Sequence, residues 1–283
     1  MATFFNTATL SYGGGVVNSN TTEAELVSGL SITKTAITET YTAGSNLVYA
    51  ITVSSAGNAA YSDLTVNDNL GAYTIPGGTA VTPLTYVDGS IIYYLNGVQQ
   101  PAPTLTSAQG LEISGINLPQ NSTATFIYEA VANEFAQAAG GGTITNTASI
   151  GTGADALTAS ATVNAVEEAS LTVAKAVCPA VVTDNGELTY TIIIQNHGNA
   201  PIVATDNVVI GDTFNPVLNN ITVNLDGVAL AAGTGYTYDT ASGAFATTNG
   251  TITVPAATYT QDGTTGVITK TPGVSVLTIT GTV

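Results

Sequence analysis

The chain has 283 residues, 44% of them hydrophobic and only 8% charged, against roughly 25% charged in ordinary soluble domains. Three Lys, no Arg and 19 acidic residues give a formal charge of −16, which excludes nucleic acid, because phosphate binding needs Lys and Arg to displace counterions, and repels anionic lipid. One Cys (Cys178) leaves no disulfide within a chain and one His (His197) builds no metal site, so neither metal nor cofactor is expected.

Taken in chain order, Met1 to Asn6 has neither a basic region nor an apolar core, so it does not read as a secretory signal, and assembly without one is the expectation. Phe4-Phe5-Asn6-Thr7-Ala8-Thr9-Leu10 reads as a strand whose alternation puts Phe4, Asn6, Ala8, Leu10 and Tyr12 on one face. Leu30-Ser31-Ile32-Thr33-Lys34, Leu47 to Val53, Thr123 to Tyr128 and Ile144 to Ile150 follow as further strands. Gly, Asn, Asp and Pro clusters separate them, the pattern of a sandwich or barrel. Residues 130–140 read as a helical turn. No apolar run reaches the roughly 18 residues of a membrane span. Thr, Val, Ile and Tyr suit a pleated, half-buried surface, and the chain reads as all-β.

The strands then recur. Leu171 to Lys175 matches Leu30 to Lys34, Leu188 to Ile194 matches Leu47 to Val53, and Gly198-Asn199-Ala200 matches Gly57-Asn58-Ala59, all at an offset of 141 residues. Ile210-Gly211-Asp212-Thr213-Phe214 resembles Val66-Asn67-Asp68-Asn69-Leu70. Ile144-Thr145-Asn146-Thr147-Ala148-Ser149-Ile150 resembles Phe4 to Leu10. Residues 272–283 resemble 120–130, and no Asn-Thr-Ala strand follows them. The reading is a donor segment at 1–28, a first repeat at 29–168, and a second repeat at 169–283 lacking its last strands. A neighbouring copy's N-terminal segment would supply those strands, and contacts of that kind that do not close make filaments. A fragment of a longer repeat array, or an N-terminal hairpin folded back on repeat two, are the alternatives.

The series Leu-x-[Ile/Val]-x-Lys, Tyr-[Ala/Thr]-Ile, Gly-Asn-Ala, Asn-Thr-Ala resembles the immunoglobulin-like surface repeat family called domain of unknown function eleven. The resemblance implies two tandem Ig-like β-sandwiches, an extracellular structural module on a cell surface, and no catalytic activity; the missing export signal fits release by lysis, as for an appendage on a spore surface. Residues 71–110 and 215–265 match that family poorly. The shifted order also resembles fibre subunits completed by a neighbour's strand.

Lys34 and Lys175 hold the same place in the repeats, as do Asp68 and Asp212, and Asn146 and Asn6. An amine, an acid and a carboxamide in a dry core are the ingredients of a self-formed isopeptide bond, as in Gram-positive pilin domains. Burial lowers a Lys pKa and frees the nucleophile, and the acid shuttles protons. Lys34 would join Asn146 within a subunit, and Lys175 would join Asn6 of the next. The bland reading makes both lysines solvated residues that blunt a strand edge and Asn146 a turn residue.

Cys178 reads as a small buried hydrophobe, and Lys270 as a solvated turn residue. Asp184-Asn185-Gly186 and Asn67-Asp68-Asn69 lack the rest of a calcium-loop signature. Asn20, Asn121, Asn220 and Asn249 head possible glycosylation sequons. No nucleophile–base pair argues for an enzyme. The expected function is a structural subunit of a filament that is a homopolymer of this chain. A stalk or adhesin module with an unknown surface ligand in loops 71–110 or 228–265 competes with it.

Overall fold

A computed structural model describes residues 2–26, 29–106 and 110–283. Those residues are all-β: strands and turns, two single 3-10 turns at Gly153–Asp155 and Ala204–Asp206, and no α-helix. Among them no helix is long and apolar enough to cross a membrane.

In the first domain, strand Asn46–Ser55 buries every second side chain, from Leu47 through Tyr49, Ile51 and Val53 to Ser55. Its antiparallel partner Thr123–Ala132 does the same with Ala124, Phe126, Tyr128, Ala130 and Ala132. These two strands centre one sheet, with the lysine strand Leu30–Ala36 on one side and Ile92–Leu95 and Val98–Gln100 on the other. The second sheet runs Thr104–Thr106, Leu111–Leu118, the aspartate strand Tyr61–Asp68, the asparagine strand Thr143–Ile150, the closing strand Leu157–Ala165 and the short Thr40–Tyr41. Leu111, Ile113, Ile116 and Leu118 of this sheet meet Tyr49, Ile51 and Phe126 of the other in one core. The helical turn expected over 130–140 does not form. The two-residue alternation carries the strand on to Ala132, and Asn133 then closes a turn, its carboxamide oxygen accepting from the Phe135 N–H at 3.0 Å.

The second domain repeats the first sheet with a lysine strand Leu171–Cys178, then Glu187–Asn196, Gly273–Thr282, Asn219–Leu225 and Val228–Ala229. Its other sheet has three strands, in the order Gly211–Thr213, Ala244–Thr247, Tyr236–Tyr238. Gly211–Thr213, which carries Asp212, is therefore an edge strand. The matching strand of the first domain pairs along that edge with the asparagine strand, Asp68 opposite Ala148 and Val66 opposite Ile150. The repeated Gly-Asn-Ala segments are turns fastened by the preceding strand: Ser55 Oγ donates to Ala59 O, and buried Asn196 donates to Ala200 O while accepting from the Ser170 and Gly198 N–H groups.

The two domains are also joined laterally. The hairpin of Thr258–Gln261 and Ile268–Thr271 reaches onto the first domain, where the Ile268 N–H donates to Glu134 O at 2.9 Å and Gln261 Nε2 donates to the Tyr73 hydroxyl at 2.6 Å. Asn199 Nδ2 donates to Ala138 O and Val166 O. Lys270 lies on the second strand of that hairpin, exposed but not in a turn.

The N-terminal segment is a hairpin of its own. Ala2–Asn6 pairs with Thr22–Leu26, and Thr9–Tyr12 pairs with Gly15–Asn18 around a Gly13-Gly14 turn. None of these strands pairs with either domain. Phe4, Phe5, Leu10, Tyr12, Val16 and Val17 are each more than half exposed.

Candidate functional site

Three strands of the first domain bring Lys34, Asp68 and Asn146 to one place in the core, and a fourth adds Tyr128. Lys34 projects inward because its cross-strand neighbour Ile51 does. Its amine donates to Asp68 Oδ2 and, at 3.1 Å, to the Tyr128 hydroxyl oxygen. The Tyr128 O–H donates to the same Asp68 Oδ2 at 2.5 Å and accepts from Asn146 Nδ2 at 2.9 Å. The Asn146 oxygen accepts from the Gly71 N–H at 3.2 Å, and Asp68 Oδ1 accepts from the Leu70 N–H at 3.0 Å. The amine also sits over the rings of Tyr49 and Tyr128, 5.2 and 5.6 Å from their centroids.

The side chains of Lys34 and Asp68 are wholly shielded from water. Burial lowers the Lys34 pKa from 10.5 to about 8, against the opposing pull of Asp68. An amine so placed is partly neutral in mildly alkaline solution, which is the nucleophilic form. Burial, then Asp68, push the Tyr128 hydroxyl well above its ordinary range, so it stays protonated. The Gly71 N–H, from which Asn69 Oδ1 also accepts at 3.0 Å, is aimed at the oxygen that would carry charge were Asn146 attacked. Gly71 has φ +74°, and a Cβ there would stand 2.7 Å from Ile144 Cγ2, so the approach needs glycine.

The second domain builds half of this centre. Lys175 ion-pairs with Asp212 and stands 4.3 Å from the Tyr190 ring centroid and 5.3 Å from that of Phe214. The pair is open, with 39% of the Lys175 side chain exposed. Opposite Tyr190 stands Ile279, where the first domain sets Tyr128 opposite Tyr49. Leu171, Val173, Lys175 and Val177 lie opposite Asn196, Ile194, Ile192 and Tyr190, the inward row of the sheet, yet Val173 is 65% exposed. In the first domain the closing strand Leu157–Ala165 packs over the equivalent row. The expectation that Cys178 is buried is wrong for a different reason: it pairs with Thr189, on the outward face of the strand, and is exposed.

Asn6 lies on the free hairpin opposite Thr22. The turn-proximal half of that hairpin, Thr9–Tyr12 with Gly15–Asn18, repeats the register of the asparagine and closing strands, whereas the half that carries Phe4 and Asn6 is shifted from it by one residue. Leu10 pairs with Val17 across six intervening residues, as Ile150 pairs with Leu157. Phe4, Asn6, Ala8 and Leu10 correspond to Ile144, Asn146, Ala148 and Ile150, the four inward residues of Thr143–Ile150.

The other sequence-derived candidates stay apart from this chemistry. His197 is half-buried at a bend, its ring 3.3 Å from Thr172 Oγ1. Asn20, Asn121, Asn220 and Asn249 are all exposed. Residues 27–28 of the N-terminal segment and 107–109 of the loop region 71–110 lie outside the described residues. Tyr128 and Gly71 were not singled out in the sequence. The available signal for Tyr128 was strand alternation, which places it inward together with Ala124 and Phe126.

No family model matches the chain, and no curated protein matches it. Solved structures similar to it include the pilus backbone protein of Streptococcus pneumoniae, at 12% identity and TM-score 0.35 over 86% of this chain and 55% of that one. The major pilin subunit of Bacillus cereus matches at 11% and 0.35 over 95% and 73%, and a collagen-binding domain of a Staphylococcus aureus adhesin at 10% and 0.29 over 48% and 99%. The chain thus spans about half the length of the pneumococcal protein. At these scores the likeness carries no argument about function, which rests on the chain's own strands and side chains.

Proposed function

We propose that the chain is a structural subunit of an extracellular filament or surface appendage, joined head to tail by donor-strand complementation. One observation carries the reading. An apolar hairpin whose turn-proximal half has the register of the first domain's last two strands stands free, and the second domain leaves uncovered the row those strands cover in the first. Docked by that register, Ala8 of one copy lies opposite Asp212 of the next, Thr9 opposite Gly211 and Leu10 opposite Ile210. Phe4, Leu10 and Val173 pass from water into a shared core, each large side chain contributing about 1.5–3 kcal/mol, and the open strand edge is closed.

The same docking brings Asn6 toward Lys175. The chemistry proposed for both centres is one condensation. Lys Nζ attacks Asn Cγ, the Nζ–Cγ bond forms, the Cγ–Nδ2 bond breaks, and the nitrogen leaves as ammonia. Nothing is oxidised or reduced. Each bond lowers the mass by about 17 Da, one ammonia per amine nucleophile consumed.

Deleting residues 1–28 tests the assembly. The expected result is a soluble monomer with an intact first domain and no filaments in negative stain, while the full chain forms them. Filaments of the truncated protein would refute strand donation. Boiling filaments in detergent tests the covalent part: Lys175→Ala should convert a ladder into monomers while native filaments persist. A monomer band of unreduced mass from the unaltered chain would leave a non-covalent polymer.

A further inference from the structure

We propose, on the reading that Lys34 and Asn146 condense, that Tyr128 is a catalytic residue of the step, the relay that carries a proton from Asp68 to the departing nitrogen. The observation is the path of the hydrogen bonds. The Lys34 amine reaches both Asp68 and the Tyr128 hydroxyl, but the hydrogen bond of Asn146 Nδ2 runs to that hydroxyl and not to the carboxylate. An amide nitrogen is a poor leaving group until it is protonated, and the acid formed on Asp68 has one hydrogen-bonded route to it. That route is Asp68 Oδ2, Tyr128 hydroxyl, Asn146 Nδ2, with links of 2.5 and 2.9 Å.

The protons balance along this path. The Lys34 ammonium gives one proton to Asp68, and the neutral amine adds to Asn146 Cγ, with charge gathering on the oxygen held by the Gly71 N–H. As the adduct collapses, Tyr128 passes its hydroxyl proton to Nδ2 and takes the Asp68 proton in the same event. The second proton shed by Nζ returns to Asp68, and ammonia leaves with it as ammonium. Asp68 ends as carboxylate and Tyr128 as phenol, so both are unchanged. A hydroxyl suits this task because one group accepts and donates at once without ionising. Its burial keeps it protonated.

Tyr49 is the built-in control. Its ring stacks on that of Tyr128 at 5.7 Å, and its buried hydroxyl has no hydrogen-bond partner among the described residues. The second domain makes the complementary case, since Ile279 stands at the position of Tyr128 and provides no hydroxyl.

The full chain, recovered unfolded in urea and diluted to begin folding, gives the test. Folding is followed by circular dichroism, and ammonia loss by intact mass of acid-quenched samples, with peptide mapping to place the bond at Lys34 and Asn146. The unaltered chain and Tyr49→Phe should lose ammonia at the same rate. Tyr128→Phe, which keeps the ring, should fold and lose it at least ~100-fold more slowly, the usual minimum for general acid–base assistance. Ammonia loss at the unaltered rate from Tyr128→Phe would overturn the relay and leave the condensation standing. Equal slowing by both Phe variants would also overturn it, since ring packing and not the hydroxyl would be responsible. An unaltered chain that keeps its full mass would overturn the condensation and the relay together. Should Tyr128→Phe fail to fold, the rate of the unaltered chain in mixtures of light and heavy water reads the same event. A bowed dependence on deuterium fraction is expected from two protons in flight, and a straight line would overturn the proposal.

Discussion

The two lysine centres are built on the same strands and differ in what lies over them. In the first domain, Lys34 and Asp68 are shut in by the asparagine and closing strands and bridged by Tyr128. In the second, Lys175 and Asp212 form the same ion pair with one side open to water, no asparagine hydrogen-bonded to it among the described residues, and Ile279 where the tyrosine would be. The comparison teaches that the ion pair belongs to the two-sheet frame and is common to both domains, whereas dryness and the carboxamide come from the covering hairpin. A domain that borrows its covering hairpin would therefore borrow its carboxamide, but with Ile279 in place of the relay tyrosine its condensation would be the slower of the two.

The largest expected contrast is in stability. Asp68→Ala in the full chain strands a buried ammonium and should cost about 3–5 kcal/mol, the usual penalty for breaking a buried pair. Asp212→Ala removes a pair that water already screens and should cost less than about 1 kcal/mol. Urea unfolding measures both, and equal costs would erase the distinction between the centres. Next in size is the effect of supplying the cover. A peptide of residues 2–26 added to the chain lacking 1–28 should stabilise the second domain by about 2.7 kcal/mol at a hundredfold excess over its dissociation constant, read as a raised Tm. A Leu10→Asp peptide should do markedly less, because a charge buried without a partner is costly. An unmoved Tm at saturating peptide would mean that the exposed row around Val173 is not a docking surface.

The smallest effect expected is on pH dependence, and it sharpens the first centre alone. Burial holds Lys34 at about 8 in the folded chain against 10.5 in the unfolded one. Between those values the unfolded chain binds more protons. The Lys34 contribution to the stability of the unreacted chain should therefore rise with pH from about 8 to 10.5, and below 8 the cost of burying the ammonium should stay constant. Urea unfolding of Asn146→Ala, which cannot condense, measures this across that window, and a flat profile would mean that the amine is hydrated in the folded chain.

Much of this was legible in the sequence because repetition is a geometric statement. Lys34 with Lys175 and Asp68 with Asp212 stood at matching places, and the ion pairs follow from that. The likeness of Phe4–Leu10 to Ile144–Ile150, each followed by a Gly-containing turn into a further strand, gave the alternation of the free strand and its return, though not the one-residue change of register between the two halves of the hairpin. Tyr128 was hidden because its role depends on register with Tyr49, a pairing between segments distant in the chain that alternation alone does not align. The hairpin Thr258–Thr271 was hidden for a related reason. It lies where the repeats diverge, and its partners Tyr73 and Glu134 belong to the other domain. Cys178 reads differently in the structure because strand parity, and not residue type, decides which face a side chain takes: it falls on the outward row opposite Thr189.

The place of Lys34 within its domain has a mechanical consequence. The lysine strand starts at Leu30, directly after the arm, and Asn146 lies near the end of the same domain, shortly before the chain crosses to Lys175. With both condensations complete, tension entering through an arm would pass from Lys34 across the bond to Asn146, along the closing strand, and out through Lys175 to the Asn6 of the next copy. Every link on that path is covalent. Residues 35–145 would hang from it as an unstretched loop, so a pulled filament would resist extension by bond stiffness and not by the hydrogen bonds of its sheets.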